Sequence, residues 1–445
     1  MWILTILCIT LSILWRQMAP ERIRSLWKPW ALAVFMLNVS CAQFYIGVIH
    51  AMLALMNYAA WIICCDGFGI GVRNRNRVWS SFLLFWGYLM ISSFMGYHPF
   101  QGMASLLNAL IASYCVGYCL SQWVCRSEGS LRRINYAIAC ASIIMGYLYL
   151  KHGAFMSMEV AGVSRMNFDM ETLDQDVKSN VNYTALCMCT VLPFLLVSVM
   201  TVAHTRFEKI VRAISAIGLI MCTMVVFRTG SRSAGLALLP LAWYFFFSTK
   251  NKLKKRKRRA MFIVVGILSA CAVAWTMRGA SEIRLFKMFG NSESGYRLTA
   301  DEISSGRIGW WIDEYKHMTP AQVVLGRGFK ETALKERGRV SLSNYHSIYM
   351  FVFIQSGLLG LLLFLCAIMR FFFVARRKGD RGRMAMMFLG VWAVSGVGEA
   401  WGMTGGAIAM LAGFGMGLCT DSPTRNTEVM NDNERQMMFA RPHWG

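Results

Sequence analysis

Long runs of apolar, uncharged residues alternate along this chain with short polar connections. They fall at about 1–15, 29–47, 48–65, 79–97, 102–124, 134–150, 181–203, 210–227, 233–249, 260–277, 347–369, 385–402 and 403–420. Most come close to the ~20 residues a helix needs to cross a hydrocarbon core. Backbone groups in lipid must be satisfied within their own segment, and these runs are too long and too uniformly apolar for barrel strands. The pattern therefore predicts an all-α polytopic membrane protein with about 12–13 transmembrane helices. The 29–65 run also reads as one span plus a re-entrant segment.

Two longer polar stretches interrupt the pattern, at 151–180 and 278–345. The second separates the helices at about 260–277 and 347–369. It divides the chain into N-terminal transmembrane helices (1–277), a large loop (278–345), C-terminal transmembrane helices (346–420) and a polar tail (421–445). The helix after the large loop is predicted to open at Ser343-Asn344-Tyr345-His346 and to run to about Ile368. It would place an imidazole at the mouth of a membrane span.

Composition sharpens this picture. Hydrophobic residues make up 56% of the 445, which is too apolar for an ordinary soluble protein. A formal net charge of +23 would suggest nucleic acid in a soluble chain. Here it is topological: the connections 16–28, 73–77, 126–133, 206–212, 250–259 and 370–383 carry 4, 3, 3, 3, 8 and 6 Lys and Arg, and they all fall on one side when loops alternate. Cytoplasmic loops carry the basic excess, so 151–180 and 278–345 are predicted outside and the tail inside. The run 250–259 reads as a topogenic stop in preference to a site for anionic lipid. Met1–Trp15 lacks a charged leader, with its first Arg at Arg16, and reads as a membrane helix and not a signal peptide.

Cysteine pairs such as Cys64 and Cys65 or Cys187 and Cys189 lie within apolar runs, and none of the 14 cysteines lies in the two long polar stretches. Neither a disulfide framework nor a zinc-ligand spacing follows. No Walker loop, HExxH pair or aspartate-rich metal motif is present. The spans are nearly free of charge, with Glu399 the clear exception, which disfavours a transporter with a charged midplane path. The glycines of the last two spans, among them Gly390, Gly396, Gly398, Gly413 and Gly417, predict closely packed helices.

Basic residues on the predicted outer side have no topological reason to be there. Phe227-Arg228-Thr229-Gly230-Ser231-Arg232 forms a tight turn between two helices, with Arg232 opening the second. Gly306-Arg307 lies in the large loop with Trp310 and Trp311 behind it, followed by Leu325-Gly326-Arg327-Gly328-Phe329. From Arg278 to Arg339 there are 11 Lys and Arg against 8 Asp and Glu. Guanidinium groups at helix starts suit a phosphate or pyrophosphate. Imidazole suits proton removal near neutral pH. For His346, helix capping and catalysis are both consistent with its position. Trp310 and Tyr345 are placed either to stack on a sugar ring or, for the tryptophan, to pack at the bilayer surface.

This order of motifs resembles the bacterial O-antigen ligase and polysaccharide polymerase superfamily. The motifs are Thr229-Gly230-Ser231-Arg232, Gly306-Arg307 with its tryptophans, Leu325 to Phe329, and His346 with Gly357 and Gly360 downstream. The likeness covers about half the chain, from roughly 180 to 370. Ser347 stands where members often have Asn, and Gln355 where an acidic residue is frequent. The resemblance implies a GT-C-type membrane glycosyltransferase of the bacterial inner membrane, working on the periplasmic face. Its donor would be a glycan on undecaprenyl diphosphate and its acceptor a sugar hydroxyl, on a glycan or on lipid A-core. By this likeness His346 is the general base or orients the acceptor, Arg232 and Arg307 hold the pyrophosphate, and Arg165, Arg327 and Tyr345 are further contacts. The scheme requires no metal or other cofactor, and its partners are the lipid-linked glycan, the acceptor and membrane lipid, not nucleic acid. A ligase and a repeat-unit polymerase share this donor chemistry. A transporter of the same lipid-linked sugars and a scaffold protein are the readings from other classes.

Overall fold

A computed structural model describes residues 76–96, 99–118, 121, 128–158, 163–168, 181–200, 203–229, 231–247, 307–329, 346–398 and 407–419. The spans expected at 1–15, 29–65 and 260–277, most of the loop 278–345 apart from 307–329, and the tail lie outside those residues.

The described elements, in order, are α1 (Arg77–Ser92), α2 (Pro99–Ala109), α3 (Glu128–His152), β1 (Gly153–Met158), β2 (Val163–Phe168), α4 (Val181–Met200), α5 (Arg206–Thr229), α6 (Arg232–Phe247), α7 (Arg307–Lys316), α8 (Pro320–Leu325), α9 (Ile348–Ala375), α10 (Gly379–Ser395) and α11 (Ala407–Leu418). The protein is an all-α polytopic membrane protein. Among the described residues four helices are long and apolar enough to cross a bilayer: Arg77–Met95, Ile134–Lys151, Arg206–Thr229 and Ile348–Ala375. Within the polar stretch 151–180, expected only as a loop, β1 and β2 pair antiparallel, with Met156 opposite Arg165. At six residues each, these strands are too short to give a period-two signal above the surrounding polar sequence.

Three packing units position the rest. Helices α3, α4 and α5 lie side by side, and β2 contacts α4 and α5. Helix α6 packs on α4 and α10. Helices α1, α9 and α10 share an aromatic core in which Phe85 and Phe364 lie with ring centres 5.1 Å apart and Phe364 meets Trp392 edge-on at 6.1 Å. Asn76 starts α1: its Oδ1 accepts from the N–H of Val78 at 2.9 Å and of Trp79 at 3.1 Å. Its Nδ2 donates to the carbonyl of Met416 at 3.0 Å, so one side chain both caps α1 and fastens it to α11. The glycine-rich α11 comes up against the π-helical segment Leu110–Cys115, where a Cβ on Gly413 would sit 2.1 Å from the carbonyl oxygen of Tyr114. That is close backbone packing of the kind small residues permit between membrane helices.

Helix α9 is broken within its length. Gly357 adopts φ 65° and ψ −169°, so the two halves of the helix join at a kink. A left-handed φ suits glycine, and there is no room for anything larger: a Cβ would lie 2.3 Å from the carbonyl oxygen of Val324. Gly357→Ala adds backbone strain of roughly 1–3 kcal/mol to that clash. We expect a lowered thermal unfolding midpoint for this variant in detergent, whereas Gly87→Ala, whose added Cβ meets nothing within 4 Å, leaves the midpoint unchanged.

Candidate active site

The geometry starts from the turn that ends α10. Helix α10 ends at Ser395, and the chain turns through Gly396, Val397 and Gly398. Each glycine carries a different neighbour. The N–H of Ile348, at the start of α9, donates to the carbonyl of Gly396 at 2.7 Å. The guanidinium of Arg307, the first residue of α7, donates from Nη1 to the carbonyl of Gly398. A Cβ built on Gly398 would lie 3.1 Å from Cβ of Ser233, the second residue of α6. Two residues of extended chain span only ~7 Å. The first turns of α6, α7 and α9 therefore meet around one three-residue turn.

This meeting has an electrostatic consequence. The first N–H groups of a helix lack intrahelical partners, and the aligned peptide dipoles give that end a partial positive charge. Three such ends converge, and two of them open with arginine: Arg232 at α6 and Arg307 at α7. The third, α9, is capped by Ser347, whose hydroxyl accepts from the N–H of Met350 at 3.4 Å. A cluster of this kind is suited to a multiply charged anion.

His346 stands immediately before that cap. Helix α9 thus begins later than the sequence predicts, at Ile348, with Ser347 as the residue whose hydroxyl caps it. His346 has φ +50°, the positive-φ non-glycine among the described residues. Non-glycine residues enter this region at a cost and gather at functional sites when the surroundings hold them there. Its half-buried ring lies 6.4 Å from that of Trp310, tilted by 35°. Trp310 is one turn along α7 from Arg307 and is 39% exposed, so the imidazole lies beside a partly open indole face.

The remaining candidates are distributed differently. Arg165 is placed on β2, which contacts α5. Tyr345 lies outside the described residues. Arg327 is 3% exposed and donates from Nη2 to the backbone carbonyl of His317, so its guanidinium points into protein. Sequence reasoning treated Gly396 and Gly398 as packing glycines and missed that their carbonyls join α7 to α9. The nearby in-membrane acid, Glu399, was a signal to examine that turn. The fully buried carboxyl of Glu314, one turn beyond Trp310 on α7, also went unnoticed, because the flanking Asp313 and Tyr315 make the segment look solvated.

With the arrangement described, comparison with known families becomes informative. Residues 217–365 match the family model described as O-antigen ligase, Wzy_C. This region belongs to the O-antigen ligase-like superfamily. The match runs from the middle of α5 through α6, α7 and α8 to the second half of α9, and so contains Arg232, Arg307, Arg327 and His346. It covers about a third of the chain. Helix α10, which supplies the Gly396–Gly398 turn, lies beyond it. No curated protein matches the chain.

Proposed function

We propose that this O-antigen ligase-like protein is a glycosyltransferase that moves a glycan from a polyprenyl diphosphate carrier to a sugar hydroxyl. The observation that carries the reading is the meeting of three helix N-termini, two opened by arginine, beside a histidine, within a region of ligase family sequence. Arg232 and Arg307, with the helix ends behind them, hold the diphosphate and stabilise the charge that grows on it as the glycosidic bond breaks. His346 takes the proton from the attacking hydroxyl, or orients that hydroxyl. The leaving group is already activated, so one base and a set of cations suffice and neither a carboxylate pair nor a protein nucleophile is needed. Attack from the side opposite the leaving diphosphate inverts the anomeric centre, and the scheme uses no metal.

Arg165, on the strand β2 that contacts α5, adds to the donor side in this scheme, and Tyr345 precedes the base on the acceptor side. The open face of Trp310 offers the acceptor sugar an apolar platform beside the base. The distribution of Lys and Arg supports a site that faces the periplasm from the inner membrane, with the 421–445 tail on the cytoplasmic side.

Between the two transfers that share this donor, we favour the ligase, which delivers a finished chain to lipid A-core, over the polymerase, which joins repeat units. The distinction is read from products. Loss of a ligase leaves polymer on the lipid carrier and bare core on a gel, whereas loss of a polymerase leaves single repeats. We expect the first pattern, and single repeats would assign the chain to polymerisation. A transporter of the same donor would be affected in neither way by purified components, because transport forms no new glycosidic bond.

A further inference from the structure

The segment Leu325 to Phe329 is a clamp with two faces. After α8 the chain turns at Gly326, whose φ of +91° brings its backbone within reach of α9; a Cβ there would lie 2.3 Å from the carbonyl oxygen of Gln355. The N–H of Arg327 donates to the carbonyl of Ile354 at 2.9 Å, and the N–H of Gly328 donates to that of Gln355 at 3.0 Å. In an unbroken helix both carbonyls would accept from N–H groups four residues on. The non-helical Gly357 interrupts that register, and the clamp, together with the Ser92 hydroxyl 3.3 Å from the Gln355 carbonyl, supplies donors at the break. Broken membrane helices persist where neighbouring groups satisfy the freed backbone in this way.

The second face is the Arg327 side chain. It is buried, and its Nη2–H donates to the carbonyl of His317, which sits in the turn closing α7, where the His317 N–H itself donates to the carbonyl of Glu314 at 3.2 Å. One residue thus grips the break in α9 with its backbone and the end of α7 with its guanidinium. Between these points Tyr315 of α7 lies with its ring 6.3 Å from that of Phe353 of α9. A helix of ten residues is a rod of ~15 Å. Holding its C-terminal turn against α9 at two neighbouring points, His317 and Tyr315, constrains where its near end points. That near end carries Arg307, on the carbonyl of Gly398, and Trp310, beside His346.

We propose that Arg327 is a positioning residue: it locks α7 against the broken α9 and thereby sets Arg307 and Trp310 in register with His346. This assignment departs from the donor contact expected of Arg327 from sequence. It rests on the function proposed above only for the significance of Arg307, since the mechanical claim concerns α7 itself.

The test uses the full chain in phospholipid nanodiscs, with hydrogen exchange read helix by helix and with binding of undecaprenyl diphosphate as the probe. R327M keeps the apolar stem and removes the donors; R327A removes both; R327K restores a single donor. In R327M and R327A we expect amides of α7 to exchange at least tenfold faster while α3, α4 and α5 keep wild-type protection. Undecaprenyl diphosphate should bind several-fold more weakly to these two variants, and R327K should recover part of both changes. Unchanged exchange in α7 overturns the proposal. So does faster exchange shared equally by α3, α4 and α5, which would make Arg327 an ordinary core residue. If wild type and R307A bind undecaprenyl diphosphate alike while R327M still loosens α7, the donor-site reading fails and the positioning role stands.

Discussion

His346→Ala is expected to lower glycan transfer by about 10²–10⁴-fold while leaving expression, membrane insertion and donor binding intact. The magnitude is what a positioned general base contributes. The separation from folding follows from the local structure. N–H groups at the start of α9 are served by the Ser347 hydroxyl and by the carbonyl of Gly396. Replacement by alanine at φ +50° costs some backbone strain, yet it leaves the cap and the α9–α10 hydrogen bond in place. The measurement is steady-state transfer with purified protein, lipid-linked donor and acceptor, together with a thermal unfolding curve. His346→Asn separates orientation from proton transfer. Asparagine tolerates the left-handed region and accepts a hydrogen bond but does not take up the proton, so recovery of activity by this variant would assign His346 to orientation alone.

Arg307→Ala has the second largest expected effect, about 10²–10³-fold in turnover with weakened donor binding. This is the loss seen when one preorganised donor to a developing negative charge is removed. Arg307 is the first residue of α7 and already donates one N–H to the carbonyl of Gly398. A guanidinium has five N–H donors in a fixed fork that matches the oxygens of a diphosphate, and that bond orients the group. Arg307→Lys should therefore recover only part of the lost activity, because an ammonium carries the charge without the fork. A lysine variant equal to wild type would show that only the charge matters. Raised KM for the donor with unchanged KM for the acceptor places the loss on the diphosphate side.

Sequence and structure agree best where long-range contacts matter least. The described helices fall close to the apolar runs, since a membrane span is dictated by its own composition. The start of α6 at Arg232 was legible from the tight turn ahead of it, whereas α7 and α8 lie in the stretch 278–345 that reads only as a loop. The start of α9 was read too early, because Ser343-Asn344-Tyr345-His346 contains good capping residue types and only the fold selects Ser347. The kink at Gly357 was hidden for a different reason. A single glycine in an apolar helix is compatible with a straight span, and the break becomes necessary only once Gly326 and Val324 press against it. Arg327 looked like an outer cation for the same reason: the sequence shows its charge and its flanking glycines, but not the His317 carbonyl that faces it. The Gly396–Gly398 turn was seen as packing, and it does pack, but its carbonyls are also the anchor between α7 and α9.

The account depends on three helix N-termini, two of them opened by arginine, and one imidazole acting on a single lipid-linked diphosphate. Its most direct test is single-turnover transfer by the purified protein, following the glycan onto acceptor and the release of undecaprenyl diphosphate in the same reaction. The account predicts one carrier diphosphate released for each glycan transferred by wild type, with both signals lost together in R232A, R307A and H346A at unchanged folding. Full transfer by any of these three variants, or glycan transfer without release of the diphosphate, would contradict it.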